Sequence, residues 1–376
     1  VPNPSFTPNK AMTMVSTEPF GINGRFYTQP VTGVQRYARN VTQALDEIVA
    51  RDGLQARLLV PQGCPDPGLA AIPTVPVGRW GGHAWEQFEL ARKQPGWLIN
   101  LCNTAPALKW NQIVCIHDAN VFLSPESYSR AFRTVYRTLQ PLLARRSARI
   151  TAVSRFSAEQ IARYLPLRAS EIAVLPNGHE HVHTWDASKA EIAPAALDKI
   201  VGQTNRPFLL ALGSSARHKN IGMLLNLAPD LASLGVDLVI AGGRADIFAP
   251  VEGRRDPNVH HLGFVSDHDL AYLLDRALCL VFPSLTEGFG LPALEAMAWG
   301  CPVISTDRAS LPEICGQAAL MAAPDQPAAW LAHIRALLGS PDLRQTLIGR
   351  GRQQAKLYSW RESARGYIDL LGQPAT

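Results

Sequence analysis

No run of apolar residues in this 376-residue chain approaches the roughly 18–20 needed to cross a bilayer, so a membrane-spanning helix is not expected. Charged residues are scarce, at 18%, and aromatics make up 7%. Set against 47% hydrophobic residues, that shortage of charge excludes a disordered chain. A fixed period is also missing, which excludes collagen, coiled coils and repeat arrays. Val1 to Lys10 is rich in Pro and Asn and has no apolar h-region, so no secretory leader is expected and the cytoplasm is the default compartment. The six cysteines (Cys64, Cys102, Cys115, Cys279, Cys301 and Cys315) form no Cys-x-x-Cys pair and show no metal-ligand spacing. Settings such as Ile113-Val114-Cys115-Ile116 fit reduced, buried thiols. Two phosphate-binding signatures are missing as well. Neither Gly21-Ile22-Asn23-Gly24 nor Gly242-Gly243 supplies Gly-x-Gly-x-x-Gly, and no Gly-x-x-x-x-Gly-Lys-Ser/Thr loop occurs, so the chemistry lies elsewhere.

What is present is a regular alternation of short apolar runs with helical periodicity. Strands are expected at Ile113–Ile116, Arg149–Val153, Phe208–Gly213, Asp237–Ala241, Leu278–Phe282 and Pro302–Thr306. Between them, helices are expected at Val34–Ala50, Ser157–Tyr164, Ile221–Leu234 and Asp267–Ala277. Such alternation predicts an α/β fold with parallel sheets covered by helices. Polar, Pro- and Ala-rich sequence from about 178 to 206 interrupts the rhythm, and the length suits two domains. We therefore expect two doubly wound, Rossmann-like domains, residues 1–200 and 206–357, facing a deep cleft in which ligands sit at the carboxyl ends of the strands.

The net charge of +5 hides an asymmetry. Residues 1–175 carry 19 Lys+Arg against 11 Asp+Glu, whereas residues 176–376 carry 17 against 20. The excess concentrates in Arg130, Arg133, Arg137, Arg145, Arg146 and Arg149, with no acid between Glu126 and Glu159. Phe132, Val135, Tyr136, Leu139, Leu142 and Leu143 interleave at near-helical spacing, which makes a basic amphipathic stretch. It suits either an anionic membrane surface or packing on its own domain, and nucleic acid is the less favoured partner.

The densest chemical signal runs from Phe282 to Thr306. A strand ends at Phe282-Pro283-Ser284, Gly288 and Gly290 allow a tight turn close to a ligand, and Pro292 suits the first turn of a helix. Free amides at that helix start favour an anion, and Glu287 and Glu295 add two carboxylates at different depths of one crevice. An amide nest beside hydroxyl-binding acids suits a sugar nucleotide. The bland alternative is a glycine turn with two solvated acids.

Glu287-Gly288-Phe289-Gly290-Leu291-Pro292-Ala293-Leu294-Glu295, followed by Gly300-Cys301-Pro302 and Leu311-Pro312-Glu313, resembles the Glu–seven residues–Glu motif of retaining glycosyltransferases of family four, which have the GT-B fold. The resemblance implies that Glu287 contacts donor-sugar hydroxyls. The amides around Gly288, Phe289, Gly290 and Leu291 would hold sugar and phosphate, and Glu295 the ribose. Lys219, in Leu212-Gly213-Ser214-Ser215-Ala216-Arg217-His218-Lys219, matches the family's phosphate lysine. Where the family often has Arg, this chain has Ser214, so either Arg217 takes that place or one phosphate contact is lost. Gly263-Phe264-Val265 resembles the segment packing on the nucleobase, and Thr32-Gly33-Val34-Gln35-Arg36-Tyr37 the glycine loop that meets the diphosphate. Arg36 either sits near the cleft or only packs. Ile116-His117-Asp118 resembles the family's histidine beside the reacting sugar, which makes His117 a catalytic candidate with Glu287 and Lys219.

The same resemblance implies that the first domain binds acceptor and the second binds donor, with a closing helix at about 358–372 crossing back to the first. It is strongest to bacterial exopolysaccharide mannosyltransferases that use GDP-mannose and a lipid-linked acceptor, on the inner face of the cytoplasmic membrane. UDP-glucose or another sugar nucleotide, or binding without catalysis, are the alternatives. No metal cofactor is expected. Asp267-His268-Asp269 mimics a metal-binding Asp-x-Asp, but Ser266 three residues before Asp269 reads as a helix cap. The alternating His179, His181 and His183 lack an obvious partner ligand. Trp80, Trp85, Trp97 and Trp110 serve either core packing or stacking on acceptor.

Overall fold

The computed structural model describes residues 19–204, 206–213, 216–243 and 256–373. The opening segment and Ser214 lie outside them. Seven strands make the first sheet: β1 (Phe20–Asn23), β2 (Ala56–Val60), β3 (Thr74–Pro76), β4 (Leu98–Asn100), β5 (Gln112–Cys115), β6 (Arg149–Ala152) and β7 (Ile172–Val174), in the order β3-β2-β1-β4-β5-β6-β7. Six make the second: β8 (Phe208–Leu212), β9 (Asp237–Ala241), β10 (Val259–Gly263), β11 (Cys279–Phe282), β12 (Val303–Thr306) and β13 (Leu320–Ala322), in the order β10-β9-β8-β11-β12-β13. Pairing is parallel in both, with Ile22 set between Leu58 and Ile99 in the first and Leu280 between Leu210 and Val303 in the second. Strands covered on both faces need apolar residues at successive positions, and β5, β9, β11 and β12 are buried along their whole length.

The longer helices are α1 (Gly33–Asp52), α2 (Arg130–Arg146), α3 (Arg155–Tyr164), α4 (Ile192–Thr204), α5 (Asp267–Arg276), α6 (Leu291–Trp299), α7 (Pro327–Gly339), α8 (Pro341–Ala355) and α9 (Trp360–Gly372). Thr32 and Gln35 form the capping box that starts α1, and Gly53 at φ 65° ends it. The helix expected over 221–234 is two pieces, Ile221–Asn226 and Ala228–Ser233. Pro229 opens the second, because it has no amide to continue the first. No helix among the described residues is long and apolar enough to cross a membrane.

The domain division differs from the one read at residue 200. Asp269 accepts hydrogen bonds at one oxygen from the amides of Glu191, Ile192 and Ala193 (2.8–2.9 Å), so it tethers the start of α4 to α5. By packing, the chain from Glu191 onward goes with the second sheet. At the other end of the chain α9 returns to lie against α1, where the Tyr37 and Tyr367 hydroxyls are 3.0 Å apart and Tyr37 meets Trp360 edge to face.

Candidate active site

The loops that leave β8 and β11 bring together the expected charged pair. Lys219 Nζ lies 2.6 Å from Glu287 Oε1, with side chains only 21% and 13% exposed. Lys219 sits in a tight turn (Arg217–Lys219) ended by Asn220 in the left-handed region, while Arg217 itself is exposed. The Ser310 hydroxyl lies against the carbonyls of Glu287 (3.0 Å) and Phe289 (2.8 Å), pinning the glycine loop from below. Gly290, at φ 97°, precedes α6, whose N-terminus no side chain caps, and Phe289 and Leu291 are buried beside it. A residue with a side chain is doubly barred there, by φ and by Leu311. Val265 follows β10 and packs against the core, with Phe264 exposed beside it.

From the first domain, the loops after β5 and β6 close onto this turn. Ser154 and Ser157 donate to the Gly288 carbonyl at 2.6 and 2.8 Å, and Thr286 reaches Asn120 at 3.1 Å. The Arg155 and Phe156 amides, at the start of α3, donate to Glu313. Gly288 lies so close that a Cβ on it would stand 2.4 Å from the His117 carbonyl oxygen. Gly33 sits exposed at the first turn of α1, where a Cβ would meet nothing within 4 Å.

His117 is placed differently from the expectation that its imidazole serves the reacting sugar. Its Nε2 is 2.8 Å from the Leu101 carbonyl, and its ring packs edge-on against Tyr37. Burial opposes its charge, but Cys115, the Leu101 carbonyl and Asp118 outweigh this and raise its pKa. The ring therefore braces the loop from inside the first domain. Asp118 is the group that faces the second domain: burial raises its pKa, the Asn120 amide lowers it, and Glu287 across the gap raises it further.

A second cluster joins the domains one step away, and sequence reasoning saw it only in fragments. Arg36 makes a two-pronged ion pair with Asp267 (2.8 and 2.5 Å) and lies 3.6 Å from Glu295. His181 Nε2 donates to Glu295 at 2.8 Å while its Nδ1 accepts from Trp360 at 3.0 Å. His179 turns to the Tyr358 carbonyl instead, so the histidine triplet is not a shared ligand face. Among the described residues no group of three or more His, Cys, Asp or Glu is arranged to hold a metal ion. Ser266 and Asp269 form the expected capping box, which leaves Asp267 to Arg36.

Burial works against the Asp267 charge, but the hydrogen bond and field of Arg36 hold its pKa below the usual range. The pairing therefore contributes stability that is present above the ordinary Asp pKa, about 4, and disappears as pH falls through the lowered value. The melting temperature of Arg36→Ala is expected below wild type at pH 7, with the gap closing below about pH 4. A gap independent of pH would show that the pair does not couple the domains through charge.

The basic helix α2 buries Gln140, Leu143 and Ala144, while Phe132 and Val135 stay exposed. Tyr128, Phe132 and Tyr136 stack in series (5.1 and 4.0 Å between centroids) along a cavity in the first domain. Arg137 lies over Phe122 and Arg146 over Trp110, Arg133 is half-buried, and Arg130, Arg137 and Arg145 are exposed. Part of the stretch read as membrane-facing thus serves its own domain. The tryptophans divide in the same way, with Trp85 fully buried, Trp97 partly buried, and Trp80 and Trp110 exposed.

Residues 195–354 match the family described as Glycosyl transferases group 1, and residues 94–178 the Glycosyl transferase 4-like domain. O-antigen chain mannosyltransferase B of Escherichia coli is 33% identical over 260 residues, covering 66% of each chain. O-antigen chain mannosyltransferase RfbU of Salmonella typhimurium is 29% identical over 245 residues, covering 64% of each. The chain thus spans just under two thirds of the length of these relatives. A solved sucrose-phosphate synthase from Thermosynechococcus elongatus superposes with a TM-score of 0.65 at 18% identity, over 94% of this chain and 98% of its own. At that identity the likeness shows the fold, which is GT-B.

Proposed function

The chain belongs to the glycosyltransferases of the GT-B fold, as its group 1 and 4-like domains show, and on that premise we propose that it transfers a mannosyl group from GDP-mannose to a lipid-linked saccharide in bacterial polysaccharide synthesis, with retention of anomeric configuration. The observation that carries this reading is the Lys219–Glu287 pair, held at the carboxyl ends of β8 and β11 beside the uncapped start of α6. A positive group and an amide nest together suit a diphosphate, and a carboxylate next to them suits the hydroxyls of the sugar it carries.

In the proposed reaction Lys219 and the amides at Gly33 and Leu291 take up the charge that develops on the diphosphate. Glu287 orients the sugar, Glu295 the ribose, and Val265 packs on the base. The bond from the anomeric carbon to the diphosphate breaks, the acceptor oxygen bonds to that carbon on the same face, and its proton passes to the departing phosphate. Positioning and charge stabilisation carry the rate, with no covalent intermediate. His117 acts by bracing the loop that presents Asp118. No metal cofactor is part of the proposed reaction.

A lipid-linked acceptor places the enzyme on the inner face of the cytoplasmic membrane. The exposed Arg130 and Arg145 suit that anionic surface, and vesicle co-sedimentation that ignores Arg130→Glu with Arg145→Glu would refute the assignment. For the donor, a thermal-shift screen over nucleoside diphosphates is expected to show the largest stabilisation with GDP, undiminished by EDTA. A larger shift with UDP moves the donor to a uridine sugar.

A further inference from the structure

The carboxylate assigned to the ribose is held in place by the protein itself. Glu295, on α6, and His181, in the turn Glu180–Thr184, have side chains only 6% and 7% exposed and meet at 2.8 Å. The Trp360 indole N–H, at the start of α9, points at His181 Nδ1 from 3.0 Å. An indole nitrogen can only donate, so Nδ1 accepts and the ring proton sits on Nε2, aimed at Glu295 Oε1. Arg36 approaches the same oxygen, at 3.6 Å. Among the described residues no hydrogen bond reaches Oε2. One oxygen is tied down and the other is left for a ligand.

The backbone around this relay is fixed as tightly. A Cβ on Gly178 would run into the Trp360 amide nitrogen, so a glycine is needed where the two segments touch. Glu180 accepts from the Trp360 amide (3.1 and 3.0 Å) and the Ser359 hydroxyl, which places a carboxylate at the start of α9. From this arrangement, and resting on the assignment of Glu295 to the ribose, we propose that His181 and Trp360 are positioning residues for the donor. Trp360 sets the imidazole tautomer, and His181 turns Glu295 so that Oε2 meets a ribose hydroxyl. A glutamate free to rotate would have to be ordered by the nucleotide, at a cost in affinity. Because α9 lies against α1, the relay ties the ribose pocket to the docking of that helix on the first domain.

The test compares GDP and UDP with their 2′,3′-dideoxy forms by calorimetry on the whole chain. The wild type is expected to bind its preferred diphosphate about tenfold more tightly than the dideoxy form, and His181→Leu to lose that preference. Dideoxy affinity should not change, because the relay acts only through the ribose hydroxyls. His181→Gln, which keeps an N–H near the place of Nε2, is expected to restore most of the preference. Trp360→Phe, which removes only the N–H to Nδ1 and keeps a ring in the core, should reduce it about threefold. An unchanged preference in His181→Leu and Trp360→Phe, or equal weakening of both nucleotides in Trp360→Phe, would overturn the relay alone. A wild type that binds the two forms alike overturns the assignment of Glu295 to the ribose, and the relay with it.

Discussion

Lys219→Ala is expected to lower turnover of the sugar nucleotide by about 10²–10³-fold, the usual loss when one preorganised donor to a developing anion is removed. The lysine is well placed for such a role because it is largely shielded from solvent and held at 2.6 Å by Glu287 before any ligand arrives. In a shielded setting a fixed positive group acts on the leaving diphosphate far more strongly than in water. Its removal also strands Glu287, so the donor sugar loses its orientation along with the charge. The result should appear in kcat and kcat/KM together, as for an interaction made chiefly in the transition state. A change confined to KM would mean that Lys219 only helps to bind the donor.

Gly288→Ala is expected to be as damaging for a different reason. The added methyl would stand 2.4 Å from the His117 carbonyl and 3.2 Å from the Asp118 Cβ, and the first of these is backbone that cannot step aside. The Ser154 and Ser157 hydroxyls that now reach the Gly288 carbonyl would be pushed off with it. Each domain should still fold, because the clash lies between them. Small-angle scattering should show a more extended particle, and transfer should fall by about 10²-fold through loss of alignment between donor and acceptor. Unchanged scattering with full activity would show that the closed contact is dispensable.

These effects also show where the sequence spoke plainly. The sheets were legible because fully buried parallel strands such as Cys279–Phe282 carry uninterrupted apolar residues. Three-residue strands such as β3, β7 and β13 carry too few residues to show any pattern. Glu287, Glu295 and Lys219 were readable because strand-to-helix turns are local. Arg36 with Asp267 was not, since 231 positions separate partners that meet only through folding. His181 with Glu295 is the same case at 114 positions. The partner of α2 stayed open for a related reason. Periodicity shows that a helix has two faces, but not whether the aromatic one meets a membrane or the protein's own cavity.

Retaining mannosyl transfer is read from the anomeric outcome. The protein is incubated with GDP-α-mannose and a lipid-linked saccharide, and the product's anomeric carbon–proton coupling is read by NMR. Release of GDP with formation of an α-mannoside is expected, in EDTA as in its absence. Formation of a β-mannoside, or binding of GDP-mannose with no transfer to any saccharide and no release of GDP, would contradict it.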